Sequence, residues 1–190
     1  MCGRYYIDSE DQHMAELIAE IAAGPDGDRL IDMKVGEIFP TNTVPVITQE
    51  RPRLMQWGFT RYGGDGKIIN ARSETALAKP MFSKAMREHR CLLPASWYFE
   101  WQHTGNNRKQ KHAISLRGGE PLAMAGIFRE EKGVSLPVFV ILTREASPEI
   151  SHIHDRMPVI LPADAQKDWL SNACDIPMAL EAAQGGVKSI

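Results

Sequence analysis

A chain of 190 residues with formal net charge −2, 43% hydrophobic and 24% charged side chains, is long enough to bury one sizeable core and short for two. The composition carries no signature of disorder, and no apolar run approaches the roughly 18 residues that a membrane span needs. The near-neutral charge excludes bulk adhesion to nucleic acid but leaves room for a local basic groove.

The N-terminus, Met1-Cys2-Gly3-Arg4, opens without a basic and then apolar leader, so an intracellular, cytoplasmic protein is expected. Ser9-Glu10-Asp11-Gln12 reads as a capping box before a helix whose apolar stripe is Met14, Leu17, Ile18 and Ile21, ended by Gly24-Pro25-Asp26-Gly27. Strands are expected over Thr43–Thr48, Leu54–Gly58, Cys91–Pro94, Trp97–Trp101, Ala113–Leu116, Leu122–Phe128 and Val138–Thr143. Turn-rich spacers separate them at Gly63-Gly64-Asp65-Gly66, Thr104-Gly105-Asn106-Asn107 and Gly118-Gly119. Helices are expected within Glu74–His89, near Pro148–His152 and over Pro162–Leu170. With no dividing linker, the pattern predicts a single α+β domain over residues 1–190. Its strands are mostly antiparallel in a barrel-like or sandwich core with flanking helices, and the stretch from Glu181 to Ile190 is peripheral.

Four clusters hold residue types suited to chemistry. Removal of Met1 ahead of a small residue would leave Cys2 with an α-amine and a thiol two carbons apart. An unperturbed amine titrates near ~7.7–8.0 and a thiol near ~8.5, so both are available as nucleophiles. With an aldehyde the amine forms a Schiff base and the thiol closes a thiazolidine; the plain alternative is a small buried residue at a strand start. Cys91 and Cys174 form no CxxC element with it, and no disulfide is expected.

Asn70-Ala71-Arg72-Ser73-Glu74-Thr75 reads as a strand running into a helix start, which suits an anion, or else as a helix cap with a surface ion pair. In Ser96-Trp97-Tyr98-Phe99-Glu100-Trp101, alternation puts Trp97, Phe99 and Trp101 on one face and Ser96, Tyr98 and Glu100 on the other. Glu100 is then either a proton carrier with a raised pKa or a solvated carboxylate. His152-Ile153-His154-Asp155-Arg156-Met157-Pro158 offers imidazoles for proton transfer, or a helix-end cap. It lacks further ligands at zinc-like spacing, so no metal and no cofactor is expected.

In their order along the chain, Met1-Cys2-Gly3-Arg4, Asn70-Ala71-Arg72-Ser73-Glu74-Thr75, Phe99-Glu100-Trp101 and His154-Asp155-Arg156-Met157-Pro158 resemble the SRAP (SOS response-associated peptidase) family, from residue 1 to about residue 170. Phe39-Pro40-Thr41, Trp57-Gly58, Lys79-Pro80-Met81-Phe82 and Cys91-Leu92-Leu93-Pro94-Ala95 add to the likeness. The resemblance implies a monomeric DNA damage response protein that binds single-stranded DNA at abasic sites. It implies a covalent thiazolidine cross-link, with associated strand cleavage (lyase) and reversal activities. By motif, Cys2 is implied as nucleophile, Asn70 as a hydrogen-bonding group near sugar and cysteine, and Glu100 and His154 as proton carriers. Arg72 and Arg4 are implied as phosphate holders, Pro40 and Thr143 as pocket lining, and Trp57, Tyr62 and Lys79 as further DNA-facing residues.

Two departures from the family pattern are Trp97, where many relatives carry glycine, and the absence of a tryptophan wedge after Trp57-Gly58, for which Phe59 and Tyr62 are the expected substitutes. Arg61, Lys67, Arg72, Lys79, Lys84, Arg87 and Arg90 are expected to form much of one positive groove. Two rival readings are an N-terminal-cysteine amidohydrolase, in which the amine acts as base for the thiol, and a non-covalent single-strand binding module with a structural Cys2.

Overall fold

The computed structural model describes residues 2–61, 63–105, 108–183 and 185–190. In chain order these form β1 (Tyr5–Ile7), α1 (Gln12–Ala22), β2 (Gly36–Ile38), β3 (Thr43–Ile47), β4 (Pro52–Trp57), β5 (Phe59–Thr60), β6 (Lys67–Ile68) and β7 (Asn70–Arg72). There follow α2 (Ser73–Ala76), α3 (Pro80–Glu88), β8 (Arg90–Ala95), β9 (Trp97–His103), β10 (Lys109–Leu116), β11 (Leu122–Arg129), β12 (Val138–Glu145), β13 (Arg156–Pro158), α4 (Ala163–Leu170), α5 (Ile176–Glu181) and β14 (Val187–Ser189).

The pairing of β11, β8, β3, β4 and β12 returns to β11, so these five strands close a barrel, and the fold is the expected α+β class. A second sheet, ordered β14-β10-β9-β1-β2, lies against it. Strand β12 is the hub. One edge pairs with β4 and then, further along, in parallel with β7; the other pairs with β11 and then β13. Its apolar run follows from burial on both faces. Phe139 and Ile141 join a cluster with Trp57, Tyr5 and Tyr98, while Val138, Val140 and Leu142 join one with Phe82, Met86 and Trp169 under the helices.

Several boundaries differ from expectation. Asp11, not Ser9, caps α1: its carboxylate accepts from the Met14 N–H at 3.1 Å. The expected Glu74–His89 helix is split into α2 and α3, because Lys79 precedes Pro80 and takes extended geometry. Residues 148–153 form turns instead of a helix, with Ile150 and Ile153 buried as anchors. The C-terminal stretch is not peripheral. Strand β14 pairs antiparallel with β10, and Val187 is completely buried.

Candidate active site

Cys2, Asn70, Glu100 and His154 come from four distant parts of the chain. Parallel pairing with β12 holds β7, so that Asn70 lies opposite Ile141, and its Nδ2 donates to the Cys2 carbonyl at 2.8 Å. Asn70 Oδ1 is buried and finds no hydrogen-bond partner among the described residues. Cys2 itself is fully buried. Its thiol lies 3.8 Å from the Arg4 carbonyl, a weak contact. Burial first, and then the neighbouring Glu100 charge, push this thiol well above its ordinary range and keep it neutral.

Glu100 occupies the inner face of β9, opposite His112 on β10, with only 2% of its surface exposed. Burial raises its carboxyl above the usual range; the His154 charge and the Trp101 N–H pull the other way without cancelling the shift. His154 leaves the turn anchored by Ile150 and Ile153. Its Nδ1 accepts the Arg156 N–H at 3.0 Å and lies 2.7 Å from Asp155 Oδ1. These contacts suit different protonation states: the neutral ring accepts from the backbone, and the imidazolium pairs with the exposed carboxylate.

Three neighbours escaped sequence reasoning. Tyr5 and Tyr98 are cross-strand partners beside Cys2, fully buried, and neither hydroxyl finds a hydrogen-bond partner among the described residues. Alternation already placed Tyr98 on the Glu100 face; its depth needs the tertiary fold. The third is Arg156, which grips Glu74 through two bonds of 2.7 and 2.9 Å and donates to the Thr143 carbonyl at 2.7 Å. The hydrogen bond from Arg156 holds the Glu74 carboxyl below its ordinary range. This clamp locks the β7–α2 junction, and with it Asn70, onto β12 and β13.

The expected DNA-facing residues divide. Arg72 and Lys79 are exposed, at the residues preceding α2 and α3. Pro40 is half-buried and precedes Thr41, whose φ of 73° is the only positive value at a non-glycine among the described residues. Arg4 does not stand open: it pairs with Glu37 at 3.1 Å and lies over the rings of Phe39 and Trp101.

Trp57 is corrected, since it is completely buried; Thr143, implied as pocket lining, is also fully buried, and its carbonyl accepts from Arg156. The Trp57 indole donates to the Ile69 carbonyl at 3.0 Å and stacks on Phe139 inside the core, so it has no face to offer DNA. Phe59 is equally buried and cannot act as a wedge, and Tyr62 lies outside the described residues. Nor can all seven basic residues line one groove. Arg90 is buried and spends its guanidinium on the carbonyls of Met86, Arg87, Trp169 and Ser171, while Lys84 pairs with Glu88. Among the described residues no three His, Cys, Asp or Glu side chains gather as metal ligands.

A family model described as SOS response associated peptidase (SRAP) matches residues 1–185. The abasic site processing protein YedK of Escherichia coli is 30% identical over 196 residues, covering 98% of this chain and 86% of that protein. The abasic site processing protein YoaM of Bacillus subtilis is 37% identical over 108 residues, which is 55% of this chain and about half, 48%, of YoaM. A crystal structure of a protein from Bacteroides thetaiotaomicron has the same fold, with a TM-score of 0.81 at 19% identity, covering 99% of this chain and 90% of that one.

Proposed function

The chain belongs to the SOS response associated peptidase family, and on that premise we propose that it processes abasic sites in single-stranded DNA, joining the damaged sugar covalently to Cys2 once Met1 is removed. The relatives YedK and YoaM are both named abasic site processing proteins. The observation that carries the reading is the meeting of Cys2, Asn70, Glu100 and His154, in which Asn70 holds the Cys2 carbonyl, the Glu100 charge bears on Cys2 and the His154 charge bears on Glu100.

Each group has a step. The imidazolium of His154 protonates the ring oxygen of the abasic sugar as the C1′ hydroxyl gives its proton to the Glu100 carboxylate, and the aldehyde appears. The Cys2 α-amine adds to C1′ to give a carbinolamine. Glu100, with its carboxyl held above the ordinary range by burial, is a proton donor at pH values where an exposed glutamate is not. It protonates the carbinolamine hydroxyl, water leaves, and an iminium remains. The thiol sulfur then bonds to C1′ and its proton returns to the Glu100 carboxylate, so the thiazolidine forms with one water lost overall. A thiol kept neutral by burial favours this order, with the amine attacking first. Asn70 Nδ2 fixes the Cys2 carbonyl, and its buried Oδ1 is placed to accept from the amine or a sugar hydroxyl.

Intact-protein mass after incubation with an oligonucleotide bearing one abasic site tests the reading. The expected product has lost Met1, gained the oligonucleotide less one water, and survives denaturation; Cys2→Ala gives none. No adduct from a protein shown to have lost Met1 would return the chain to the amidohydrolase or non-covalent class.

A further inference from the structure

Two phenols belong to the buried surroundings of Cys2 and take no part in the steps above. Tyr98 shares the inner face of β9 with Glu100, and register pairs it across the sheet with Tyr5 of β1. Both side chains are completely buried, in one cluster with Cys2, Trp57 and Phe139. The Tyr5 ring packs on Trp57 with 5.2 Å between centres. Neither hydroxyl finds a hydrogen-bond partner among the described residues. A buried donor left unpaired costs stability, and phenylalanine fills the same space without that cost. Packing therefore accounts for the two rings and not for their hydroxyls.

We propose that the Tyr98 and Tyr5 hydroxyls donate to the Cys2 sulfur as the thiazolidine closes and reopens, and that they set how much captured sugar ends as cross-link and how much as cleaved strand. The proposal rests on the abasic-site reading above. In the free protein the thiol is neutral and spends its one weak donor on the Arg4 carbonyl at 3.8 Å. As a sulfur lone pair bonds to C1′, the thiol proton passes to the Glu100 carboxylate and the C1′–N π pair returns to nitrogen. A sulfur losing its proton in a buried pocket becomes an acceptor, and donors already in place stabilise it without reorganisation. The phenols keep their own protons throughout. Burial, and then the charge of an ionised Cys2, push both hydroxyls above the ordinary tyrosine range, so they give hydrogen bonds and not protons. The Glu100 charge bears on Tyr98 as well, so this hydroxyl lies in the field of both partners in the proton transfer.

The iminium is the branch point. Closure by sulfur gives the thiazolidine; loss of a proton from C2′ expels the 3′ phosphate and cuts the strand. Both outcomes leave one intermediate, so the faster the sulfur closes, the less strand is cut. A donor that binds the transition state better than the thiol or the ring sulfur speeds closing and reopening by one factor.

The test uses the full chain lacking Met1 and a single-stranded oligonucleotide with one abasic site, with denaturing gels to resolve cross-link from cleaved strand. Tyr98→Phe is expected to raise the ratio of cleaved strand to cross-link about 3- to 10-fold, the scale of one net hydrogen bond, and Tyr5→Phe to move it the same way. With borohydride present from the start, the initial rate of total adduct should not change, because the amine step precedes the sulfur. Release of purified cross-link into methoxyamine, which captures the reopened sugar, should slow by the same factor as closure. Melting temperatures at or above wild type are expected for both variants, since each loses an unpaired hydroxyl. A wild type that cross-links, beside folded variants whose ratio is unchanged, overturns the role of the phenols and spares the abasic-site reading. A fall in total adduct rate as large as the fall in cross-link marks a reshaped pocket and also overturns that role. No adduct from the wild type overturns the reading on which it rests.

Discussion

Glu100 sits on the inner face of β9 with almost no contact with water, and burial is the largest reason its carboxyl titrates above the ordinary glutamate range. A raised folded-state pKa means that the native state holds the proton more tightly than the unfolded chain, whose glutamate titrates near ~4.3. The stabilisation is therefore complete below about pH 4 and is lost as pH rises through the folded value, above which a buried charge is left. Glu100→Gln keeps the shape and removes that charge. The melting temperature of the variant should match wild type near pH 4 and exceed it at pH 8 by about 2–4 °C, the equivalent of about 1 kcal/mol in a chain of this size. Cross-link formation should slow sharply in the same variant, since an amide cannot donate and recover the proton. Thermal melts across this pH range decide the stability claim: a variant less stable than wild type at pH 8 would show that the carboxylate is stabilised where it lies. The order of the motifs along the chain makes a group of Cys2, Asn70, Glu100 and His154 legible without coordinates, and strand alternation puts Tyr98 with Glu100. Trp57 was illegible for one reason: whether a side chain on a strand faces solvent depends on what covers it, and Trp57 stacks on Phe139 of β12 inside the core.

Strand β14 shows how far a short edge element reaches. Its backbone meets Ile114–Leu116 of β10 in register, the Ile190 N–H donates to the Ala113 carbonyl at 2.8 Å, and Val187 fills the core. Ser189 Oγ lies 2.9 Å from Nδ1 of His112, the residue directly opposite Glu100 on the neighbouring strand. Ending the chain at Gly186 removes one buried valine and several ladder bonds, and opens the β10 edge. Urea unfolding should show a loss of about 2–4 kcal/mol, from burial worth ~1.5–3 kcal/mol and hydrogen bonds of ~0.5–1.5 kcal/mol each. Unchanged stability would mean that β14 is an ornament after all. Strands with long apolar or alternating runs, β3, β8, β11 and β12, fall close to where the sequence predicts them. The three-residue strands β1, β2, β13 and β14 do not announce themselves, because so short a segment has no period and takes strand geometry from its partner. The same holds for α2, one turn long, which leans on the Arg156–Glu74 clamp more than on helix propensity.

Across the whole molecule, charge is spread thinly. A net charge of −2 gives little long-range attraction for DNA, so binding must come from cations standing next to the strand. The sequence clusters seven basic residues around the middle motif, which suggests one positive groove and steep salt dependence; folding withdraws part of that cluster. Arg90 goes into the core, Lys84 is opposed by Glu88, and Arg87 turns back to the Ser83 carbonyl. Arg72 and Lys79 stay exposed just before α2 and α3, while Arg4, two residues from Cys2, is shared with Glu37. Each phosphate neutralised on a single strand contributes a slope of roughly −0.7 to a plot of log affinity against log salt. About two to four such contacts predict a slope between roughly −1.4 and −2.8 for an undamaged strand, measured by anisotropy from about 50 to 300 mM salt. A slope steeper than about −4 would mean that the dispersed lysines and arginines regroup around DNA. A slope near zero would mean that stacking on aromatic rings, and not charge, holds the strand until Cys2 captures the aldehyde.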